Sequence, residues 1–289
     1  PAVIIDVQRM GPSTGLPTRT SQGDIASVYK LSHGDTRHVM LIPGNVEECY
    51  SFATQSLDLA EQLQTLVFLM SDLDLGMNKW ISQPFAPPSD EAIPRGKVLS
   101  AEEIQKAGSF NRYEDVDDDG IPYRTIPGTD SPDAPYFTRG TGHNSGAVYS
   151  ENPDDWQDNI DRLARKYETA KTLVPQPVIE SDEKNDLAIL AYGSSDPAIQ
   201  EARHLLKTRK DIEVNYLRLR ALPLTDSVGE FLRNNETIYV VEQNRDAQVA
   251  AILREHYPEY ATHIQSILHY NGMPIDAETI VSKLLALLS

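Results

Sequence analysis

The sequence predicts an α/β fold built mainly on parallel strands, and three observations carry that reading. Short apolar runs at Ala2-Val3-Ile4-Ile5, Val39-Met40-Leu41-Ile42, Leu66-Val67-Phe68-Leu69-Met70 and Leu187-Ala188-Ile189-Leu190-Ala191-Tyr192 have the pattern of strands buried on both faces. Segments with apolar residues at helical spacing alternate with them, as in βαβ units. A polar, proline-rich stretch separates an amino-terminal from a carboxyl-terminal series, so the chain divides into residues 1–83, 84–180 and 181–289.

Taken in order, the first strand runs into Val7-Gln8-Arg9-Met10-Gly11-Pro12-Ser13-Thr14-Gly15-Leu16-Pro17-Thr18-Arg19-Thr20. Prolines stiffen this loop, and glycines let its backbone come close to a ligand. It lies at the carboxyl end of a strand, where open α/β sheets place ligand sites. Arg9, Ser13, Thr14, Thr18, Arg19 and Thr20 combine guanidinium forks with hydroxyls, a set suited to a carboxylate or phosphate. The bland alternative is a Gly/Pro loop whose arginines pair with acidic neighbours. No Gly-Lys-Ser/Thr follows, so a P-loop is excluded.

A short helix is expected over Asp24–Lys30. Asn45 with Glu48 resembles a capping box that opens a helix running to about Leu63. Residues 84–150 hold prolines at 84, 87, 88, 94, 122, 127, 132 and 135 and few periodic apolar positions, which marks a linker or an excursion over a neighbour. An amphipathic helix follows over Asp154–Thr172, with Trp156, Ile160, Leu163, Ala164 and Tyr167 along one side. Beyond the strand at Leu187–Tyr192, Gly193 turns the chain and Asp196 with Pro197 caps the next helix. Strands at Val214–Leu219 and Thr237–Val241, and helices at Ala247–His256 and Ala277–Leu288, complete the pattern. Gly193-Ser194-Ser195-Asp196 reads as a structural cap ahead of an anion site. The polar run Glu242-Gln243-Asn244 at a strand end suggests a ligand contact or, by preference, an interface with a partner subunit.

Composition narrows the function classes. The 289 residues are 40% hydrophobic and 24% charged, enough for about two globular domains. The net charge of −17 argues against nucleic acid or an anionic membrane as partner, because both demand a positive patch. A single cysteine, Cys49, read as a buried helix residue, permits no internal disulfide and cannot ligate an iron–sulfur cluster by itself. Asp115-Val116-Asp117-Asp118-Asp119-Gly120 begins like an EF-hand loop, but Ile126 stands at the twelfth position and Pro122 falls inside, so the EF-hand is rejected. A loose cation site and a solvated acidic turn both remain open for it. His143, in Arg139-Gly140-Thr141-Gly142-His143, is either a site residue or a loop histidine bonded to backbone. No other histidine shows metal-ligand spacing.

The run Gln8-Arg9-x-Gly11-Pro12-Ser13-Thr14-Gly15-Leu16-Pro17-Thr18-x-Thr20-x-Gln22-Gly23-Asp24 resembles the signature of the α subunit of 2-oxoacid:ferredoxin oxidoreductases, most closely the 2-oxoglutarate type. Further likeness appears at His33-Gly34-Asp35, Pro43-Gly44-Asn45-Val46-Glu47-Glu48-Cys49, Ser71-Asp72-Leu73-Asp74-Leu75-Gly76-Met77-Asn78, Tyr136-Phe137-Thr138-Arg139-Gly140-Thr141-Gly142-His143 and Val240-Val241-Glu242-Gln243-Asn244, and so covers nearly the whole chain.

The resemblance implies that residues 1–83 are the second half of a thiamine-pyrimidine-binding domain, and that 84–180 are a linker or excursion with one helix. Residues 181–289 would be a transketolase C-terminal-like domain. It implies CoA-acylating oxidative decarboxylation of a 2-oxoacid in the cytoplasm. Arg9 and Thr18 match the family positions that hold the substrate carboxylate, with Ser13, Thr14 and His143 beside them as binding candidates. No catalytic residue or metal ligand is expected in this chain. Thiamine diphosphate, Mg2+ and a 4Fe-4S cluster would sit on the assembled complex, held mostly by a β subunit, with CoA as co-substrate. The implied partners are that β subunit, a second αβ unit in a dimer of heterodimers, and ferredoxin.

The family's α subunit begins well upstream, with a Tyr-Pro-Ile-Thr-Pro-like segment and the pyrimidine-activating glutamate. On that comparison the sequence reads as a fragment, a cleaved polypeptide or the ordered part of something longer. Two rival readings are a non-catalytic docking module, and the same chemistry on pyruvate or branched-chain 2-oxoacids.

Overall fold

The computed structural model of the chain describes residues 1–85, 93–183 and 185–289; Pro87 and Pro88 of the proline-rich stretch lie outside the described residues. Two five-stranded mixed sheets form the scaffold. In the first, β1 (Ala2–Met10), β4 (Leu66–Asp72) and β3 (Val39–Leu41) run parallel, and β2 (Leu16–Thr20) folds back antiparallel on the end of β1. In the second, β10 (Ile264–Leu268), β9 (Thr237–Glu242), β6 (Leu187–Tyr192) and β7 (Asn215–Leu219) are parallel, and β5 (Val178–Glu180) closes the edge antiparallel to β7. The chain then lends a two-residue strand, β8 (Ala221–Leu222), to the first sheet, antiparallel to β3.

One apolar core runs through both sheets. Met40, Ile42, Phe68 and Met70 of the first meet Leu190, Tyr192, Leu217 and Val240 of the second, with Ile25, Val28 and Tyr29 of α1 (Ile25–Tyr29) between them. Burying such side chains contributes about 1.5–3 kcal/mol each, so the two sheets stabilise one another. The buried Glu48 reinforces the join: Arg218 pairs with it at 2.5 Å and Arg220 at 2.8 Å. Glu48 lies on α2 (Val46–Leu63), and the two arginines flank the step from β7 to β8. This pairing is why the expected capping box is half made. The Asn45 side chain accepts from Glu48 N, but the Glu48 carboxylate takes Gly44 N and the arginines.

The rest of the α/β pattern is regular. After α3 (Leu73–Met77), α4 (Ala101–Ala107) carries a full capping box between Ser100 and Glu103. Then come α5 (Pro153–Ala170), α6 (Asp196–Lys210), α7 (Asp226–Arg233), α8 (Gln248–His256) and α9 (Ala277–Leu288). Asp196 is the first helical residue of α6 without acting as its side-chain cap; it accepts instead from the Tyr216 hydroxyl at 2.8 Å.

The proline-rich stretch packs on its own chain. Arg124 pairs with Glu61, Gln64 donates to Pro122 O at 2.7 Å, and the Gly120 turn lies so close to α5 that a Cβ there would overlap Lys166 N. That contact also turns part of the face expected of α5 outward, while Tyr167 on that face still packs against the core. Arg162 and Ala170 are buried, whereas Trp156 is 57% and Leu163 41% exposed. In the Asp115–Asp119 turn the cation is Lys97, whose ammonium bridges Asp117 at 2.6 Å and Asp119 at 2.8 Å. No helix among the described residues is long and apolar enough to cross a membrane.

Candidate functional site

The carboxyl ends of β1, β4, β6 and β9 converge on the segment Ser21–Gly23, just behind the β1–β2 hairpin. Gln22 is the joint. Its side chain donates to Tyr192 O at 2.9 Å and accepts from Gln243 N at 2.9 Å, and its own N–H donates to Gln243 O at 2.8 Å. Gly193 leaves room for it, since a Cβ at that position would meet Gln22 Nε2 at 2.9 Å. Ser194 and Ser195 accept from Gln243 Nε2 at 3.2 and 3.1 Å, so the Gly193–Ser195 turn is part of this scaffold.

Glu242 is fully buried and accepts from Val249 N at 2.8 Å, Ala250 N at 3.0 Å, the Tyr192 hydroxyl at 3.0 Å and Asn244 Nδ2 at 2.9 Å. A carboxylate at the start of α8 is well placed for that helix's free N–H groups. The Tyr192 hydroxyl is held well above its ordinary pKa, first by burial and then by the adjacent Glu242. Glu242-Gln243-Asn244 therefore serves an internal junction with Gln22, where the sequence suggested a contact with a partner subunit.

From this anchored base the hairpin projects. Gln8 accepts Asp24 N at 3.2 Å and donates to Ser71 O at 3.3 Å, fixing the root. The ladder pairs Arg9 with Thr20 and then Met10 with Leu16, so Pro17, Thr18 and Arg19 bow out of register. Gly15 closes the tip at φ +32°, and a Cβ there would overlap the Met10 carbonyl. The far side is braced by Thr20 N donating to Gly272 O at 3.2 Å and by Arg19 Nη1 resting on Met273 Sδ at 3.3 Å.

Arg9, Ser13, Thr14 and Thr18 are all exposed, and among the described residues their side chains make no hydrogen bond or ion pair. The arginines of this loop are thus not consumed by acidic neighbours. Such free guanidinium and hydroxyl groups on a braced turn can receive a carboxylate with little reorganisation.

His143 is not among them. It stacks on Tyr113 at 3.9 Å between centroids, its Nδ1 bonds Asn144 O at 3.1 Å, and Arg112 beside that tyrosine reaches Gln64 at the last turn of α2. An 18-residue helix is roughly 27 Å long, so His143 sits at the opposite end of the first sheet from the hairpin. Cys49 is half-buried on α2. No cluster of His, Cys, Asp and Glu able to hold a metal exists among the described residues.

Residues that the sequence reading passed over are Gln22, as the hub of the junction, and Asp6. The Asp6 carboxyl on β1 is raised to about 6, by burial first and by the nearby Asp24 second. Its position in an apolar run, where a carboxylate has no pattern reason to be, was the available signal.

Comparison with known proteins places residues 1–107 in the thiamine diphosphate-binding domain of pyruvate flavodoxin/ferredoxin oxidoreductases, whose family model they match. The relatives extend the likeness along the chain. The α subunit of 2-oxoacid:ferredoxin oxidoreductase 2 from Aeropyrum pernix is 30% identical over 95% of this chain and 42% of its own length. The 2-oxoglutarate oxidoreductase subunit KorA of Mycobacterium tuberculosis is 28% identical over 97% of this chain and 41% of its own length. The 2-oxoglutarate synthase subunit KorA of Methanocaldococcus jannaschii is 28% identical, over 84% and 63%. Residues 1–107 thus match the family's thiamine diphosphate-binding domain, the chain as a whole is similar to α subunits of 2-oxoacid:ferredoxin oxidoreductases, and it spans about two fifths of the length of the first two of these relatives. Its fold is shared with the 2-oxoglutarate:ferredoxin oxidoreductase of Magnetococcus marinus, solved with 2-oxoglutarate, coenzyme A and succinyl-CoA bound. The TM-score is 0.87 at 24% identity, covering 99% of this chain and 48% of that one.

Proposed function

We propose that this chain supplies the substrate-facing hairpin of a thiamine diphosphate-dependent, CoA-acylating 2-oxoacid:ferredoxin oxidoreductase acting on 2-oxoglutarate in the cytoplasm. The observation that carries the reading is the set of unpaired Arg9, Ser13, Thr14 and Thr18 side chains on a braced hairpin at the carboxyl edge of a thiamine-family domain. The relatives' names and the ligands of the Magnetococcus enzyme support 2-oxoglutarate and CoA.

Thiamine diphosphate, when bound, supplies the carbon nucleophile that adds to the 2-oxo group. The residues of this chain bind and orient. The Arg9 fork takes the carboxylate next to the carbonyl, Thr18, Ser13 and Thr14 donate hydroxyl hydrogen bonds to it, and the carbonyl carbon is thereby presented in one orientation. Arg19 lies on the same hairpin and is held only by a sulfur contact, which leaves a second guanidinium for the distal carboxylate of a dicarboxylic substrate. The hairpin offers a cation and hydroxyls, and one cysteine cannot hold a 4Fe-4S cluster. Mg2+, the diphosphate contacts and the cluster are therefore assigned to a β subunit, and electrons to ferredoxin.

Steady-state kinetics of the αβ enzyme test this. Arg19→Ala is expected to lower kcat/KM for 2-oxoglutarate at least about tenfold while leaving that for 2-oxobutyrate within about twofold, a discrimination of about 1.4 kcal/mol per decade. Equal losses on both substrates would remove the dicarboxylate assignment. No loss from Arg9→Met on either would remove the hairpin from the site.

A further inference from the structure

At the other end of the first sheet, a cavity of about 530 Å3 opens between α5 and the amino ends of β3 and β4, a size usual for small-molecule sites. Val39, Leu63 and Ile160 give it an apolar wall, and Lys30, Arg37 and Lys166 line it together with the carboxylates of Asp35, Glu168 and Glu255. Two of these cations are spoken for: Lys30 pairs with Glu255 at 2.5 Å, and Arg37 approaches the same carboxylate at 4.0 Å. Glu168 pairs with Lys171.

Lys166 has no acidic partner among the described residues. Its nearest charges are Arg162 and Arg112, neither of which forms an ion pair. Arg162 is 7% exposed, and its Nε and that of Arg112 are both buried without a hydrogen-bond partner. Asp115 acts as a counter-charge on Arg162, so of the three cations it is Lys166 that faces only positive neighbours, in a chain whose net charge is −17. Like charges brought together out of water repel, and such a grouping is stabilised by an anion held beside it. The strain shows in the amine itself, which burial, with Arg162 and Arg112 adding to it, lowers to about 8.

We infer that this cavity is a binding site for a small organic anion, whose carboxylate or phosphate sits on Lys166 while its carbon framework lies against Val39, Leu63 and Ile160. The site is separated from the hairpin by the length of α2 and does not depend on the function proposed for it. Lysine meets anions as a point charge, so both carboxylates and phosphates qualify, and the apolar wall favours an organic anion over an inorganic one.

The first test uses the intact protein without mutation. Lysines are acetylated with a limiting activated ester at pH 7.5 in chloride, citrate, AMP or inorganic phosphate at matched ionic strength, and the peptide carrying Lys166 is quantified by mass spectrometry against that carrying the exposed Lys106. Lys166 should be modified in chloride and at least about tenfold more slowly in citrate or in AMP, with Lys106 unchanged. Protection by citrate alone or by AMP alone identifies the carboxylate or the phosphate as the anion held. Equal modification in every salt, protection by inorganic phosphate as strong as by either organic anion, or no modification even in chloride would each overturn the inference. Calorimetric titration of Lys166→Met with the protecting anion should then show affinity at least about tenfold weaker than the parent.

Discussion

The hairpin and the junction behind it are both polar, only a few residues apart, and physically opposite. In front, Arg9, Ser13, Thr14 and Thr18 are exposed and unpartnered. Behind, Gln22, Glu242, Gln243 and Asn244 are at most 4% exposed, with a partner for nearly every polar atom. A group that must exchange water for substrate cannot already be satisfied by protein, whereas a buried group left unsatisfied costs about 1–3 kcal/mol. The difference teaches that the residues free to meet a ligand and the residues that hold the architecture are separate sets, and on the function proposed above the two should respond to mutation in separate assays.

The largest effect should come from the rear. Glu242→Leu removes the acceptor for Val249 N, Ala250 N, the Tyr192 hydroxyl and Asn244 Nδ2 at one stroke. Urea unfolding should show a loss of about 3–5 kcal/mol, the range for breaking a buried polar network. A loss below about 1 kcal/mol would mean that the junction does not hold the two sheets together.

Next is the front. Arg9→Lys replaces a bidentate fork by a point charge, and kcat/KM of the αβ enzyme for 2-oxoglutarate should fall by roughly 2–4 kcal/mol in transition-state terms. The same variant should unfold within about 0.5 kcal/mol of the parent, as exposed substitutions do. A drop in stability with unchanged kinetics would place Arg9 in the scaffold and erase the contrast.

Much of the front was legible in the sequence because its information is local. Two glycines and two prolines around hydroxyls and arginines announce a stiff, donor-rich turn, and α2, β6 and α9 follow directly from apolar periodicity. The rear was not legible, because its partners are far apart in sequence. Gln22 meets Gln243 and Glu48 meets Arg218 only once the sheets are stacked, and no spacing rule relates such positions. The five-residue β2 and the two-residue β8 escaped for a related reason: each exists through its pairing with a neighbouring strand, and Pro17 and Pro223 beside or within them argue locally against a strand. His143 shows where local reading stops short of placement. The Gly-spaced motif around it looks like a site, yet long-range packing sends it to the other end of the sheet.

An intermediate effect lies on the boundary between the two sets. Gly15 belongs to the front by exposure but to the scaffold by geometry, with φ +32° and no space for a Cβ beside the Met10 carbonyl. Gly15→Ala should cost about 1–3 kcal/mol in chemical denaturation, from backbone strain, and should weaken 2-oxoglutarate turnover through the displaced Thr14 and Thr18. If only stability moves, the turn holds the hairpin without shaping the donors. If only turnover moves, the strain is relieved within the loop.

The smallest effect concerns Asp6, two residues before the root residue Gln8. Its carboxyl is raised from 3.8 to about 6, first by burial and then by Asp24, so between these two values the folded chain holds a proton that the unfolded chain releases. Stability should therefore be greatest below about pH 3.8 as far as this group is concerned, decline as the pH rises through that window, and be fully reduced above about 6. Because the side chain is only half-buried, solvent screening limits the decline to about 1 kcal/mol. Asp6→Asn cannot ionise and should remove that part of the slope, raising stability at pH 7 by a similar amount while leaving the stability at pH 4 nearly unchanged. Measuring urea midpoints of both chains at pH 4, 5, 6 and 7 separates Asp6 from every other carboxylate, since only the difference between the chains is read. A difference that stays flat from pH 4 to 7 would show that Asp6 titrates in its ordinary range and that the base of the hairpin is as open to water as its tip.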